Sequence, residues 1–249
     1  MLEYTEDLVS GMKVILSLFP NARGVFAVED NKKDCIEKLQ KAVAGEPRID
    51  VKALMTKYPQ GAERQLIYAV TKRAINSTML PADAGCIVDN VETLIGIHNA
   101  VIKGKPLMER VVTVSGDAVE KPGNFMAPFG INHRELVEAA GGLKAEPQKL
   151  ISGGPMMGFA MVTMDAPVTK TSSSILLFKE DVVAKSLETA CINCGRGRRM
   201  SPHGRHGARN RPDLQIFQRE KMRHLLLHGM DWNVWNVVPA VMSVRRNVS

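Results

Sequence analysis

The sequence predicts an α/β protein, and three observations lead to this fold class. Over the first half of the chain, stretches with apolar residues at helical spacing alternate with short apolar runs of the kind that form buried strands. From residue 109 onward, alternating apolar and polar residues predict short strands around one further helix. The composition, 45% hydrophobic and 24% charged, is that of an ordinary globular protein. We therefore expect one or two folded domains in the 249 residues.

In the first half, helices and strands follow one another with turn residues between them. Apolar side chains from Leu8 to Phe19 recur at spacings of three and four, which is typical of an amphipathic helix, and Pro20 ends it. Asn90 can cap a later helix that starts at Val91. The predicted elements are, in order, a helix over 4–19, a strand over 23–29, a helix over 31–44, a strand over 49–55, and helices over 62–75 and 90–101.

The second half predicts a small module of strands and one helix. Val112 and Val114 alternate with polar neighbours, and Gly116 offers the turn of a hairpin. A helix is expected to begin at Asn132, with Glu135 completing a capping box. The predicted elements are a strand from 109, its hairpin partner over 118–120, a helix over 132–140, a strand, loop and strand over 149–161, a strand over 174–178 and a helix over 181–189.

Hydropathy and charge narrow the class of protein. No stretch reaches the ~18 apolar residues of a membrane-spanning helix, and the chain starts with acidic residues where a signal peptide is basic, so we expect a cytoplasmic protein. The net charge of +7 lies in residues 197–249, which hold ten basic and three acidic residues, while residues 1–196 hold 23 of each. A basic segment can bind phosphate backbones, but this one has no recognisable nucleic-acid motif, and we expect no nucleic-acid partner.

Cys191 and Cys194 form the sharpest motif, Cys-Ile-Asn-Cys. It matches the start of the run C-x2-C-x2-C-x3-C-P that supplies thiolates to iron-sulfur clusters. Gly197 stands where the third cysteine is required, and no cysteine follows it. A pair of cluster ligands and a surface dithiol without metal therefore both remain open. Cys35 and Cys86 are predicted to be small core residues.

Three loops are candidate binding segments. The polar segments 58–66 and 88–94 each open a helix, where unpaired backbone N–H groups and the helix dipole attract phosphate groups. Their residues are equally explained as helix caps. The glycine-rich loop 152–158 lets a ligand approach the backbone closely, or simply makes a tight connection between strands. The residues alone leave both interpretations open for each loop.

Five segments occur together in an order and approximate spacing that are typical of one family. They are YPQGAERQL, LPADAGCIVDNVETL, ERVVTVSGDAV, KLISGGPMMGFAM and ACINCGR. On these segments, residues 1–196 resemble the C subunit of the Rnf (Rsx) ion-translocating electron-transport complex. The resemblance implies a partial flavin- and NADH-binding α/β domain over 1–106, a small β-grasp (SLBB) domain with returning strands over 107–180, the start of a ferredoxin-like domain over 181–196, and a basic tail over 197–249.

The resemblance also implies a function. The family passes electrons between NADH, flavin and iron-sulfur clusters in a membrane-associated NADH:ferredoxin oxidoreductase, so its implied partners are the other Rnf subunits, NADH and ferredoxin, at the cytoplasmic face of the inner membrane. No catalytic side chain is assigned. By resemblance, the FMN and nicotinamide site is lined by Tyr58, Gly61, Glu63, Asp89, Asn90 and Thr93. Cys191 and Cys194 would be the first two ligands of a 4Fe-4S cluster.

Two departures from the family pattern shape the remaining expectations. The family's glycine-rich nucleotide loop lies upstream of Met1, and the second half of the cluster domain is absent. We therefore expect an N-terminally incomplete chain whose cofactor sites are incomplete. We expect this chain to be inactive alone. Codons for Trp232–Val238, read in another phase, can give Glu-Cys-x-Glu-Cys-Gly. Our hypothesis is that residues 197–249 are frameshifted and disordered, or at most marginally helical over 214–227. The alternative function is a cofactor-free remnant that retains only an SLBB docking or ligand-binding module.

Overall fold

The chain forms two compact units, each with its own hydrophobic core. The computed structural model describes residues 1–57, 60–76, 78–155, 158–181 and 239–244. The first unit contains Met1–Leu107 and the final strand, and the second begins at Met108. Within the described part of the chain, none of the helices is both long and apolar enough to cross a bilayer.

Helices and strands alternate along the first unit, and short strands dominate the second. The helices are α1 (Thr5–Leu18), α2 (Lys33–Val43), α3 (Glu63–Thr71), α4 (Val91–Val101) and α5 (His133–Ala139). The strands are β1 (Ala22–Glu29), β2 (Ile49–Leu54), β3 (Cys86–Asn90), β4 (Glu109–Ser115), β5 (Gly123–Pro128), β6 (Lys149–Ser152), β7 (Phe159–Met161), β8 (Ser174–Phe178) and β9 (Pro239–Val244). The predicted α/β class is confirmed.

The first unit is built on a sheet with the strand order β2-β1-β9-β3. β1 pairs with β2 in parallel, and both β1 and β3 pair with β9 in antiparallel register. β1, β2 and β3 therefore run in the same direction, and their carboxyl ends share one edge of the sheet. Each of these strands is followed by a helix, so α2, α3 and α4 all begin at that edge.

Helices cover both faces of this sheet because β1 is apolar on both sides. Phe26 and Val28 point to one face, where they join the core formed with α1, α2 and α4. Ala27 points to the opposite face and packs with Leu54 of β2 and Leu66 of α3. Alternate residues of a strand face opposite sides, and a buried parallel strand consequently carries a continuous apolar run.

β9 corrects one expectation about the tail. Residues 239–244 fall in the segment for which we expected disorder, yet they form a strand with partners on both sides. Without β9, the facing backbone groups of β1 and β3 would have no partner strand, and buried unpaired groups are costly. The predicted helix over 214–227, and the remainder of the tail, lie outside the described residues.

The second unit has a five-stranded mixed sheet in the order β5-β4-β8-β6-β7. β4 pairs with β5 in antiparallel and with β8 in parallel register, and β6 lies between β8 and β7 in antiparallel register. Val112, Val114 and Ile175 are fully buried on the face that packs against Leu136 and Val137 of α5. The module of strands around one helix that the sequence predicted is therefore present.

Several element boundaries differ from those predicted. β3 was not predicted, because its residues were interpreted as part of a polar loop. The partner of β4 begins at Gly123 and not at residue 118, so the hairpin connection is longer than a two-residue turn. α3 ends at Thr71, where Lys72 adopts a left-handed φ of 62°, four residues before the predicted end. The predicted helix over 181–189 lies outside the described residues except for Asp181.

Candidate functional site

The carboxyl edge of the first sheet contains a topological switch point. From β1 the chain passes to β2 on one side, and it then returns to β3 on the other side of β1. Ligands of open α/β sheets bind outside the carboxyl ends of the strands, at the place where the connections diverge in this way. In this unit that place lies between β1 and β3, in line with β9. The topology therefore marks this edge as the candidate site.

Two half-buried carboxyl groups lie on either side of the switch point. Glu29 is the last residue of β1, and Asp89 is the penultimate residue of β3. Burial raises the pKa of Asp89 above its usual value. Burial also raises the pKa of Glu29, against the opposing effect of nearby Lys32. Carboxyl groups that are held in a partly dehydrated place at the end of a strand are typical of binding sites.

The loops that follow β1 and β2 are tied together at the same edge. Asp30 accepts hydrogen bonds from the Thr56 hydroxyl at 2.7 Å and from the Thr56 backbone N–H at 3.0 Å. Both hydrogen bonds lower the pKa of Asp30, and the bond from the Thr56 hydroxyl has the larger effect. Asp30 is therefore used to shape the loop that leads into α3, and Glu29 and Asp89 are the acidic groups better placed to meet a ligand.

α3 begins at this edge without a side-chain cap. Its N-cap residue is Ala62, which has no side-chain oxygen to accept from the first backbone N–H groups. Gly61 and Glu63, two of the predicted site residues, flank Ala62 and are both exposed. The start of α3 thus presents backbone N–H groups that can bind an anionic group.

α4 begins at the same edge, on the other face of the sheet. Asn90 is its N-cap, and the Asn90 side-chain oxygen accepts a hydrogen bond from the Glu92 backbone N–H at 2.9 Å. The capping role predicted for Asn90 is confirmed. Thr93 lies exposed in the first turn of α4. Asp89, Asn90 and Thr93 are consequently brought together around one helix start.

Side chains distant from the edge hold the two helices in place. His98 of α4 contacts α1 through both ring nitrogens, with Nδ1 at 2.7 Å from the Ser10 hydroxyl and Nε2 at 3.1 Å from an Asp7 carboxylate oxygen. Lys52 of β2 donates to the backbone oxygens of Ala69 and Val70, at 3.1 and 3.2 Å, near the end of α3. A cation at a helix C-terminus stabilises the helix, and this contact also fixes α3 against the sheet.

Some predicted site residues cannot be placed on this framework. Tyr58, Cys191 and Cys194 lie outside the described residues, and within the described ranges no group of three metal-ligating side chains is arranged to hold a metal ion. Cys35 and Cys86 are buried and free, as predicted.

Glu29 and Asp30 were not proposed from the sequence. An available signal was the acidic pair that directly follows the apolar run of β1.

Comparisons with known proteins agree with both units. The model of the Nuo51 FMN-binding domain family matches residues 1–99, and that of the SLBB domain family matches residues 111–160. Two solved structures of NAD+-reducing [NiFe]-hydrogenase share the fold. The H2-reduced form has a TM-score of 0.59 at 19% identity, covering 73% of this chain and 38% of that chain. The air-oxidised form has a TM-score of 0.63 at 19% identity, covering 91% and 44%.

Curated relatives match a longer stretch of 196 residues. The C subunit of the proton-translocating ferredoxin:NAD(+) oxidoreductase complex of Clostridium ljungdahlii is 43% identical, over 79% of this chain and 43% of the relative. Its Na(+)-translocating counterpart from Acetobacterium woodii is 41% identical, over 79% and 44%. The C subunit of the ion-translocating oxidoreductase complex of Yersinia pestis is 36% identical, over 78% and 32%. This chain thus spans less than half the length of these relatives.

Proposed function

Because this chain belongs to the family of C subunits of the Rnf-type ferredoxin:NAD+ oxidoreductase complexes, we propose that it carries the flavin- and NADH-binding part of an electron-transfer subunit. Its partners in this proposal are NADH, ferredoxin and the other subunits of the membrane complex, with which it associates peripherally. A bound flavin would supply the step between two-electron and one-electron carriers, which no side chain can perform.

The observation that carries the proposal is the chemistry of the switch-point edge. Glu29 and Asp89 offer carboxylate oxygens, which accept hydrogen bonds from hydroxyl groups such as those of a ribityl chain. The uncapped start of α3 offers backbone N–H groups, which suit a phosphate. The residues present therefore fit a phosphorylated, hydroxylated group such as FMN.

The family residues take their roles within this arrangement. We propose that Gly61 and Glu63 line the cofactor at the start of α3, together with Tyr58. Asp89, Asn90 and Thr93 would line it at the start of α4. The Asn90 oxygen is engaged in the helix cap, so Asn90 would meet the cofactor through its side-chain amide N–H groups.

Flavin binding by the full chain tests the proposal directly. FMN is titrated while its fluorescence is recorded, and Glu29→Gln and Asp89→Asn are compared with wild type. Losing a hydrogen bond to a charged group should weaken binding roughly tenfold in each variant. Asp50→Asn is the matched control, because Asp50 is exposed at the start of β2 and pairs with Arg23 at 3.3 Å, at the opposite edge of the sheet. Equal affinities in all four proteins would contradict the proposed site.

Iron content tests the second part of the proposal. We propose that Cys191 and Cys194 provide two cluster ligands and that the chain alone therefore holds less than a stoichiometric 4Fe-4S cluster. After anaerobic reconstitution, iron and labile sulfide are measured per chain, with Cys191→Ser beside the control Cys35→Ala. We expect the wild-type chain to hold little iron. Cys191→Ser should lose this iron, and the control Cys35→Ala should keep it. Four irons per chain would show that other groups complete the site.

A further inference from the structure

The middle of the first sheet, between β1 and β3, is filled by a strand that runs against its neighbours. β1, β2 and β3 are parallel, whereas β9 pairs with both β1 and β3 in antiparallel register. β9 also comes from the basic segment 197–249, while the three parallel strands end before residue 91. We call the position between β1 and β3 the central slot.

The hand of the helical connections assigns the central slot to a parallel strand. α1 and α2 lie on the same face of the sheet, where both join the core around Phe26 and Val28 of β1. Connections between parallel strands are right-handed in nearly all cases, so two connecting helices on one face advance along the sheet in the same direction. α2 leads from β1 to β2. A strand joined to β1 through α1 would therefore lie on the opposite side of β1, which is the central slot.

β9 fills the central slot only in part. Its ladder with β1 ends at Phe26, which is paired with Ala240. β1 itself continues to Glu29 and stays paired with β2 to that residue. On the side of the slot, the described strands therefore offer no ladder partner to residues 27–29 of β1.

The first residue of β9 explains why the ladder stops. The Gly24 backbone N–H donates to the Arg48 backbone oxygen at 2.8 Å, on the side of β2. Alternate residues of a strand direct their backbone groups to opposite sides, so those of Ala27 point to the slot. The register places Pro239 beside Ala27, and proline has no N–H to donate to the Ala27 carbonyl oxygen. Ala27 is buried, and an unpaired carbonyl group is costly there.

Both faces of the central slot are covered by apolar helices. α3 spans one face, because its Leu66 packs with Ala27 of β1. The neighbouring Ile67 packs with Cys86 of β3. On the other face, α1 and α4 share one core with β1. A strand between two apolar layers is itself apolar on both sides, so the slot selects a short, uncharged, apolar segment.

We propose that the central slot accepts an apolar strand of a second polypeptide, parallel to β1 and β3, in exchange for β9. This strand pairs with β1 beyond Phe26, as far as Glu29, and donates a backbone N–H to the Ala27 oxygen. Backbone pairing supplies the affinity of such strand addition, and the apolar layers on both faces select the sequence. The proposal concerns the sheet alone, so it stands whether or not the first unit binds a flavin.

Spin-labelled peptides test the exchange and its direction in the full chain. The probe is a strand of alternating valine and alanine, long enough to span β1, with lysines at both ends for solubility and a nitroxide at its amino or its carboxyl terminus. The 15N-labelled protein is refolded from urea with excess probe, so that the probe and β9 compete while the sheet forms. Two-dimensional NMR then shows which amides are broadened. The carboxyl-terminal label should broaden Glu29 and Asn90 most strongly, and the amino-terminal label should broaden Ala22 and Cys86.

The direction of the broadening decides the outcome. The reversed pattern would mean that the probe enters antiparallel, as β9 does, and it would overturn the proposal. Broadening at other residues only, or none at all, would also overturn it. A probe with a central proline is the matched control, and it should broaden none of these amides because proline cannot join a central ladder. Equal broadening by this control would show unspecific association and would sink the proposal as well.

A variant of β9 tests whether β9 is the strand that the probe displaces. Val241 lies in the middle of β9, paired with Val25 and Val88, and Val241→Pro removes a backbone donor from the ladder. The probe should bind Val241→Pro at least about tenfold more tightly than wild type, because β9 otherwise competes with the high effective concentration of a segment of the same chain. The isosteric control Val241→Thr keeps the N–H and should bind the probe as wild type does. Equal affinities of Val241→Pro and wild type would overturn the exchange. If Val241→Pro fails to fold, the refolding experiment with wild type decides.

Discussion

Gly11 and Gly96 are both helical glycines of the first unit, and we predict that alanine has opposite effects at the two positions. A Cβ at Gly11 of α1 would lie 2.1 Å from the Leu94 backbone oxygen of α4. A Cβ at Gly96 of α4 would meet only the Leu107 side chain, at 3.6 Å, which is an ordinary contact. Alanine is otherwise favoured over glycine inside a helix by about 0.5–1 kcal/mol. The tertiary contact alone therefore decides the sign.

The magnitude follows from the separation that Gly11→Ala requires. To restore a normal carbon–oxygen distance, α1 and α4 must move apart by roughly 1 Å, which forfeits contacts of closely packed atoms. Such overpacking typically costs about 1–3 kcal/mol. After the gain in helix propensity, Gly11→Ala should lower the free energy of unfolding by about 1–2 kcal/mol, whereas Gly96→Ala should raise it by about 0.5–1 kcal/mol. The same shift would move Asn90 at the start of α4, so FMN binding should weaken in Gly11→Ala.

Hydrogen exchange of the α1 and α4 backbone amides is the appropriate assay, because it reports on this unit separately from the other. Exchange is measured under conditions in which the rate of opening does not limit the exchange rate of either variant. It should be faster than in wild type for Gly11→Ala and slower than in wild type for Gly96→Ala. Exchange in Gly11→Ala that is as slow as in Gly96→Ala would refute the close helix contact and, with it, the reason for glycine at position 11.

Four further predictions concern the second unit and the carboxyl groups. Gly116 has a φ of +123°, and a Cβ there would lie 1.9 Å from the Leu177 backbone oxygen, so Gly116→Ala should cost about 3 kcal/mol or more in urea unfolding. Gly130→Ala, with a φ of +94° and no atom within 4 Å of the added Cβ, should cost only about 1–2 kcal/mol of backbone strain. Burial raises the pKa of Glu29 and Asp89, so their stabilising contribution is present at low pH and is lost as the pH rises through the raised pKa values. Glu29→Gln and Asp89→Asn should therefore be more stable than wild type at pH 7. A lower melting temperature of these variants at pH 7 would count against a dehydrated site. The hydrogen bond from Arg134 lowers the pKa of Asp165 to about 2. Any stability advantage of wild type over Asp165→Asn should therefore be constant above pH 4 and fade between pH 4 and 2. An advantage that grows on acidification would contradict this.

Local chemistry made the helix starts predictable. Asn132 accepts from the Arg134 backbone N–H, and Glu135 accepts from the Asn132 backbone N–H, which together form the predicted capping box. Asn90 caps α4 by accepting from the Glu92 backbone N–H. These interactions join residues within one turn, so the sequence contains both partners and their spacing. Polar loops at helix starts could be identified as candidate binding segments for the same reason.

Contacts between distant residues could not be predicted in this way. β3 is short and flanked by polar residues, and it is recognisable as a strand only because β9, about 150 residues later in the chain, pairs along it. α3 ends early, at Thr71, because side chains bind the backbone around its end. Lys52 donates to the backbone oxygens of Ala69 and Val70, and the guanidinium group of Arg73 donates to the Ala84 backbone oxygen at 2.6 Å. The burial of His133, whose Nδ1 lies 2.6 Å from the Ala166 backbone oxygen and whose Nε2 has no hydrogen-bond partner among the described residues, likewise depends on a segment about 30 residues away.

The sequence by itself determined the α/β class, most helices and strands, the caps of α4 and α5, and the family. Each of these depends on residue types at short, fixed spacings or on the order of motifs along the chain. Only the tertiary structure decided the strand order, and with it the switch point that brings the ends of β1 and β3, with Glu29 and Asp89, to one edge of the sheet on either side of β9. The physical reason is that strand pairing and burial are set by which distant segments exclude water from one another, and a dehydrated carboxyl group or an unpaired imidazole nitrogen exists only once those segments have met.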